Sequence, residues 1–323
     1  MRHATRLAGG LFAALLLAAT GPLAQTFPSK PLKLVVPYPP GGSNDVLSRV
    51  TAQAMSGGLG QSVVVDNRAG AGGMIGADYV AKSEPDGYTM LNVQGSFVTN
   101  TAIRDKMAYD ALKDFTYIGM MAKGPMILVV HPSLPVKNTK ELLALAKARP
   151  GRLNYGSTGT GGINHLSTEL FRKMAGINIV HVPYKGVAPA LTDLMGGHVE
   201  MVITSLPSAL QQVKSGRMKG IAICSAERTA FLPELPTVSA SGVPGYVAEL
   251  YWGLAVPSKT PTDVVNRLAS ELGKSLQSAD LKQRFAAEGA EPLPMTREQF
   301  TKFITTEITR WRVVARESNI QPE

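Results

Sequence analysis

Leu32-Lys33-Leu34-Val35-Val36-Pro37-Tyr38-Pro39-Pro40-Gly41-Gly42-Ser43-Asn44-Asp45 reads as a buried strand, a proline-glycine turn and the opening of a helix. The apolar run is short and β-branched, as in a strand covered on both faces. Ser43 or Asn44 starts the helix, and Asp45 complements the positive end of its dipole. Glycine lets the backbone approach a ligand closely, and the first N–H groups of the helix have no partner of their own, so the turn favours a carboxylate or phosphate. Two further turns have the same setting: Gly70-Ala71-Gly72-Gly73 after Ser62-Val63-Val64-Val65, and Gly156-Ser157-Thr158-Gly159-Thr160-Gly161-Gly162. Three such turns in one chain predict anion cradles.

Outward from these turns, strand-like and helix-like stretches alternate. Further strands are expected at Thr89 to Val93, Ile127 to Val130, Ile179 to Val182, Val199 to Ile203, Gly220 to Cys224 and Trp252 to Val256. The alternation is the βαβ rhythm of an α/β protein with largely parallel sheets. Thr139 is the expected cap of a helix over Lys140 to Arg149, and Thr260-Pro261 starts one carrying Val264, Val265, Leu268, Leu272 and Leu276. A last helix, capped near Thr296, buries Phe300, Phe303, Ile304, Ile308 and Trp311. The strand, glycine turn, helix unit occurs in both the N-terminal and the middle third, which predicts two similar α/β lobes.

The N-terminus carries Arg2 and Arg6 before an apolar run from Leu11 to Ala19, then Gly21-Pro22 and a small residue at Ala24, the pattern of a cleaved export signal over residues 1–24. That run is too short for a span of about 20 residues. The 323-residue chain has a formal charge of +9, reduced to +7 when Arg2 and Arg6 leave. Its Lys and Arg are scattered among acids, with no basic run interleaved with aromatics, so nucleic acid is not an expected partner. Cys224, the one cysteine, excludes an intramolecular disulfide and reads as a small core hydrophobe.

Enzymatic signatures are not met. Gly70-Ala71-Gly72-Gly73-Met74-Ile75 places isoleucine, and Gly159-Thr160-Gly161-Gly162-Ile163-Asn164 asparagine, where a dinucleotide turn needs its third glycine. No Gly-x-Ser-x-Gly elbow is present. His165 and Glu169 stand four apart on an expected helix without a second metal-binding histidine, and His165 reads as a partner of nearby backbone at the helix start. No pair of carboxylates is spaced for acid–base work.

The stretch from Phe27 to Asp45 resembles the start of a mature solute-binding protein of the tripartite tricarboxylate transporter family (TctC/Bug). The resemblance continues in order through Asn67-Arg68-Ala69-Gly70-Ala71-Gly72-Gly73, Pro85-Asp86-Gly87-Tyr88-Thr89, Tyr155-Gly156-Ser157 with His165-Leu166, His181-Val182-Pro183-Tyr184-Lys185-Gly186, Leu206-Pro207-Ser208-Ala209-Leu210, Leu235-Pro236-Thr237-Val238 and Gly245-Tyr246. It implies a two-lobed fold of the periplasmic binding protein type II kind. Lobe 1 would hold residues 25–122 and 225–323, and lobe 2 residues 123–224. A small carboxylate would lie in the cleft, no cofactor is needed, and the partners are the subunits of a membrane transporter. The expected location is periplasmic, and the expected state a monomer.

Carried onto this chain, the resemblance places ligand contacts at Tyr38, Pro40, Gly41, Gly42, Ser43 and Asn44, and in the second lobe at Ser157, Thr158, Gly159, Gly161, Gly162 and His165, with Tyr184, Lys185 and Gly186 on a loop facing the cleft. Gly72 and Gly73, Ser96 and Thr99 after the third strand, and Thr204 and Ser205 complete the set. Arg49 is expected to pair with Asp45 rather than the ligand. Lys185 either meets a distal carboxylate or remains a surface lysine. Many relatives carry an acidic or amide residue before Leu206-Pro207-Ser208, whereas Thr204-Ser205 offer hydroxyls with no counter-charge for an ammonium group. The expected ligand is therefore a mono-, di- or tricarboxylate, aliphatic or aromatic, without an amino group. Docking on a sensor kinase, or an exported enzyme, are the alternative readings.

Overall fold

The computed structural model describes residues 27–317 and 320; the export signal expected over residues 1–24 lies outside them. In chain order the elements are β1 (Leu32–Val36), α1 (Ser43–Leu59), β2 (Val63–Asn67), α2 (Met74–Ala81), β3 (Thr89–Gln94), α3 (Gly95–Ile103), β4 (Phe115–Val130), α4 (Thr139–Ala148), β5 (Asn154–Ser157), α5 (Ile163–Ala175), β6 (Val180–Pro183), α6 (Val187–Met195), β7 (Met201–Ser205), α7 (Leu206–Lys214), β8 (Lys219–Ile223), β9 (Glu249–Pro257), α8 (Thr262–Gln277), α9 (Ala279–Ala287), β10 (Glu291–Pro292) and α10 (Arg297–Glu317).

The strands run in the order β2-β1-β3-β9-β4-β7-β5-β6, with β8 and β10 both paired to β4. At one end β2, β1 and β3 are parallel, in register Leu32↔Val63 and Leu34↔Met90. At the other β6, β5 and β7 are parallel. Each parallel set belongs to one lobe and is fed by βαβ crossovers, which cover both faces; hence Leu34, Val35 and Val36 are fully buried.

The sixteen-residue β4 joins the lobes. From Phe115 to Pro125 it pairs antiparallel with β9, and from Met126 to Val130 with β7 and β8. The chain returns at the same place: Cys224 donates its amide to the Met126 carbonyl at 2.7 Å, and its own carbonyl accepts the Ala248 amide at 2.8 Å. Between these passages the segment 225–247 packs on the second lobe. Tyr246 donates its hydroxyl to the Ser167 carbonyl on α5 and stacks edge-on against Phe171, and Ser241 donates to Thr139 on α4. Strand pairing and the burial of Tyr246 thus hold residues 225–247 to α4 and α5.

The helices follow from amphipathic spacing. Val264, Val265, Leu268, Leu272 and Leu276 on α8, and Phe300, Ile304, Ile308 and Trp311 on α10, are buried, each large side chain contributing about 1.5–3 kcal/mol. Phe303 of the expected stripe is only partly buried and packs at the core's edge. The cap of α4 is Asn138, not Thr139: Asn138 Oδ1 accepts the Glu141 amide at 3.0 Å, and Glu141 Oε2 accepts the Lys137 amide at 2.7 Å. Asn reaches back over the first turn as Ser or Thr does, while the Thr139 hydroxyl accepts from Ser241.

Candidate functional site

The carboxyl ends of the parallel strands in both lobes face one another across the β4 junction. There five helices begin: α1 at Ser43, α3 at Gly95, α5 at Ile163, α6 at Val187 and α7 at Leu206. Their first residues, with Tyr38 and Pro39 from the turn after β1 and with Leu250, enclose a cavity of about 20 Å³, the space of one water-sized group. No charged side chain lines it. The electrostatics of the enclosure are those of five positive helix ends.

Across the closed cleft the lobes touch through short polar bonds. Ser205 Oγ donates to Ser43 Oγ at 2.9 Å, the Ser43 amide donates to Ser208 Oγ at 3.0 Å, the Ile163 amide donates to Ser96 Oγ at 2.9 Å, and Thr99 Oγ1 donates to the Gly161 carbonyl at 2.8 Å. Two glycines permit this approach. A Cβ on Gly42 would stand 2.9 Å from Val187 Cγ1, and one on Gly186 would stand 2.6 Å from Pro39 Cδ. Gly42 has φ −87°, open to any residue, so its role is proximity rather than backbone freedom.

At the first turn only part of the expected cradle is free. The Gly41 amide donates to Asp45 Oδ2 at 3.1 Å and the Ser43 amide is taken by Ser208, leaving the amides of Gly42 and Asn44 without a partner among the described residues. Pro40 and Gly41 point to solvent. Asp45 pairs with Arg49 at 2.8 Å and accepts from Asn67. Burial alone would push the Asp45 carboxyl up, but Arg49, the Gly41 amide and Asn67 outweigh it and hold the carboxyl below its usual range, so α1 starts over a neutralised acid. Asn44 is oriented by Trp252, whose Nε1 donates to Asn44 Oδ1 at 2.8 Å.

The turn at Gly70–Gly73 lies against Tyr38 and Asn100. The Gly72 carbonyl accepts from Tyr38 Oη at 2.8 Å and from Asn100 Nδ2 at 3.0 Å, and a Cβ on Gly73 would stand 2.8 Å from that hydroxyl. Gly72 and Gly73 therefore fix Tyr38, which lines the cavity and is also held by Gln94. Ser96 lines the cavity, and Thr99 bonds across to the second lobe.

In the second lobe, Thr158, Thr204 and Ser205 reach the cavity. Ser157, Gly159, Gly161, Gly162 and His165 stand behind it. Gly159 and Gly161 take φ of +109° and +81°, which requires glycine, and the Gly161 amide donates to His165 Nδ1 at 3.2 Å. Ser157 Oγ lies 2.6 Å from His181 Nε2, and the His165 and His181 rings stack at 4.1 Å. Burial pushes the His165 imidazole below its usual range, favouring the neutral ring that this cap needs. For Glu169 burial pulls upward, but Arg172 and the Tyr155 hydroxyl hold it low. Tyr184 donates to Asp193 Oδ2 at 2.7 Å, Gly186 meets Pro39, and Lys185 is exposed outside the cavity wall. Among the described residues no group of three His, Cys, Asp or Glu fits a metal ion.

Sequence reasoning missed Pro39, Gln94, Ile163, Asn164, Val187 and Leu250. Asn164 and Gln94 sit beside expected positions and follow from the rule that a helix start faces the site. Leu250 and Trp252 come from β9, far along the chain, with no local signal. A larger concavity of about 660 Å³ lies between Phe115, Tyr117 and α10, but it is an open groove on one lobe where no helix starts converge.

Two α/β lobes joined by paired crossovers, closing on a cavity walled by helix starts, define a clamshell solute-binding receptor. The sequence model of the tripartite tricarboxylate transporter family receptor matches residues 47–320. Protein BugT of Bordetella pertussis is 39% identical over 311 residues, covering 96% of this chain and 95% of that protein. Among solved structures, R. palustris Rpa4515 with adipate is 38% identical with a TM-score of 0.89, covering 92% of this chain and 100% of that one. MatC from Rhodopseudomonas palustris with bound malate is 29% identical with a TM-score of 0.85, covering 89% and 99%. The chain belongs to the tripartite tricarboxylate transporter receptor family. Among the described residues no helix is long and apolar enough to cross a membrane.

Proposed function

We propose that this chain is a periplasmic receptor that captures a small organic acid between its lobes and hands it to a tripartite tricarboxylate-type membrane transporter. The observation that carries this reading is the convergence of the α1, α3, α5, α6 and α7 starts on one enclosed, uncharged cavity. Partial charges at helix starts favour anions and require no dedicated arginine. The adipate and malate of the relatives are acids of the kind this site would take. With no carboxylate beside Thr204 and Ser205 to pair with an ammonium group, the ligand is a mono-, di- or tricarboxylate without an amino group, aliphatic or aromatic.

The hinge lies at Pro125/Met126 and Ala248/Glu249, the receptor acts as a monomer, and it alters nothing it binds. The signal peptide is removed near Ala24. Ligand bridging the Gly42–Asn44 turn and the Thr158–Asn164 turn adds contacts to both lobes only when they close, which is what makes closure report occupancy.

The test is to purify the protein from its cells, denature it to release bound small molecules, identify these by mass spectrometry, and titrate the refolded chain calorimetrically. Binding of malate, citrate, adipate or an aromatic acid, recovered unaltered, is the expected result. Tight binding of aspartate or glutamate with no binding of these acids would sink the assignment.

A further inference from the structure

We infer that Thr204 reads the body of the ligand, and that the chain prefers a short diacid bearing a hydroxyl group to the same diacid without one. This rests on the carboxylate reading above. Thr204 Oγ1 is buried, lines the cleft cavity and has no hydrogen-bond partner. It stands alone in this among the cavity's side chains in the described residues. Tyr38 and Gln94 bond each other, with Gly72 and the Ser96 amide taking their remaining groups. Asn164 accepts from Thr158 and donates to the Ile203 carbonyl, and Ser43 and Ser205 are bonded together.

Nothing in β7 needs a hydroxyl at this position. Valine has the same shape and a comparable strand preference, so the oxygen serves no fold contact. A hydroxyl both donates and accepts. The ligand carboxylates are drawn to the N–H groups of the helix starts, and what remains for Thr204 is the chain between them. An unsubstituted methylene there would leave the Thr204 oxygen buried and unpaired, and a site built around such a group rejects the analogue that cannot satisfy it.

Calorimetric titration of the stripped, refolded chain with two matched pairs, malate with succinate and 2-hydroxyglutarate with glutarate, tests this. The wild type is expected to favour the hydroxylated member of the pair it binds by about tenfold. Thr204→Val should bring the two within about twofold by weakening the hydroxylated acid alone, and Thr204→Ser should keep the preference. Equal affinities in the wild type, an unchanged ratio in Thr204→Val, or equal weakening of both members would overturn the inference while leaving the carboxylate reading intact. Failure of the correctly folded wild type to bind either pair would overturn the inference, and failure to bind adipate, citrate and an aromatic acid as well would overturn both.

Discussion

Gly42 shows how one missing carbon lets the two lobes meet. Its backbone angles suit any residue, yet a side chain there would strike Val187 across the cleft at 2.9 Å. Gly42→Val should therefore fold with stability within about 1 kcal/mol of wild type but bind its acid at least tenfold more weakly. Adding Val187→Ala should recover part of the loss, because the two positions are in contact and not additive. A full loss of folding in the single variant, or no recovery in the double, would contradict this account. The glycine pattern made the first turn legible in the sequence, and the i, i+4 spacing made the Asp45–Arg49 pair legible too. The neighbour that a side chain at Gly42 would strike, Val187, was not legible, because only the approach of one lobe to the other brings it there.

At the scale of elements, the start of α5 depends on a neutral imidazole. His165 Nδ1 accepts the Gly161 amide, and burial holds the ring's folded-state affinity for protons below its ordinary value near 6.5. A depressed folded value means that this stabilisation is complete above about pH 6.5 and is lost as pH falls toward the folded value. Glu169 and Asp45 are also depressed and withdraw their share lower in the acid range. Melting temperature should thus decline from pH 7 to pH 5.5, and His165→Gln, which stays uncharged, should flatten that limb; an unchanged slope would rule the histidine out. On α4, Asn138→Ala should cost about 1 kcal/mol in a denaturant melt, with Thr139→Ala acting instead through its bond to Ser241. Helix positions were readable from apolar spacing, but which of two adjacent residues caps α4 was not, since both are good caps and the choice is made by Ser241 approaching from the segment 225–247.

For the whole molecule, closure and occupancy are one equilibrium. Saturating acid at 100 times its dissociation constant should raise unfolding stability by about 2.7 kcal/mol, and small-angle scattering should register compaction with the bound acid alone. Cys224, fully buried beside both crossovers with its thiol pushed up by burial, should resist thiol reagents in the native protein and react only on unfolding; rapid native labelling would mean the junction opens far more readily than its hydrogen bonds imply. The sequence by itself determined the alternating strands and helices, the glycine turns at helix starts and the family, because apolar period and turn chemistry act over a few neighbouring residues. Only the tertiary structure decided that Gly72 and Gly73 prop Tyr38, that Lys185 stands outside the cavity, that Leu250 lines it and that Trp252 orients Asn44. The last of these depends on β9 bringing Trp252 beside Asn44, 208 residues away in the chain, and no local pattern encodes which distant side chain fills a given space.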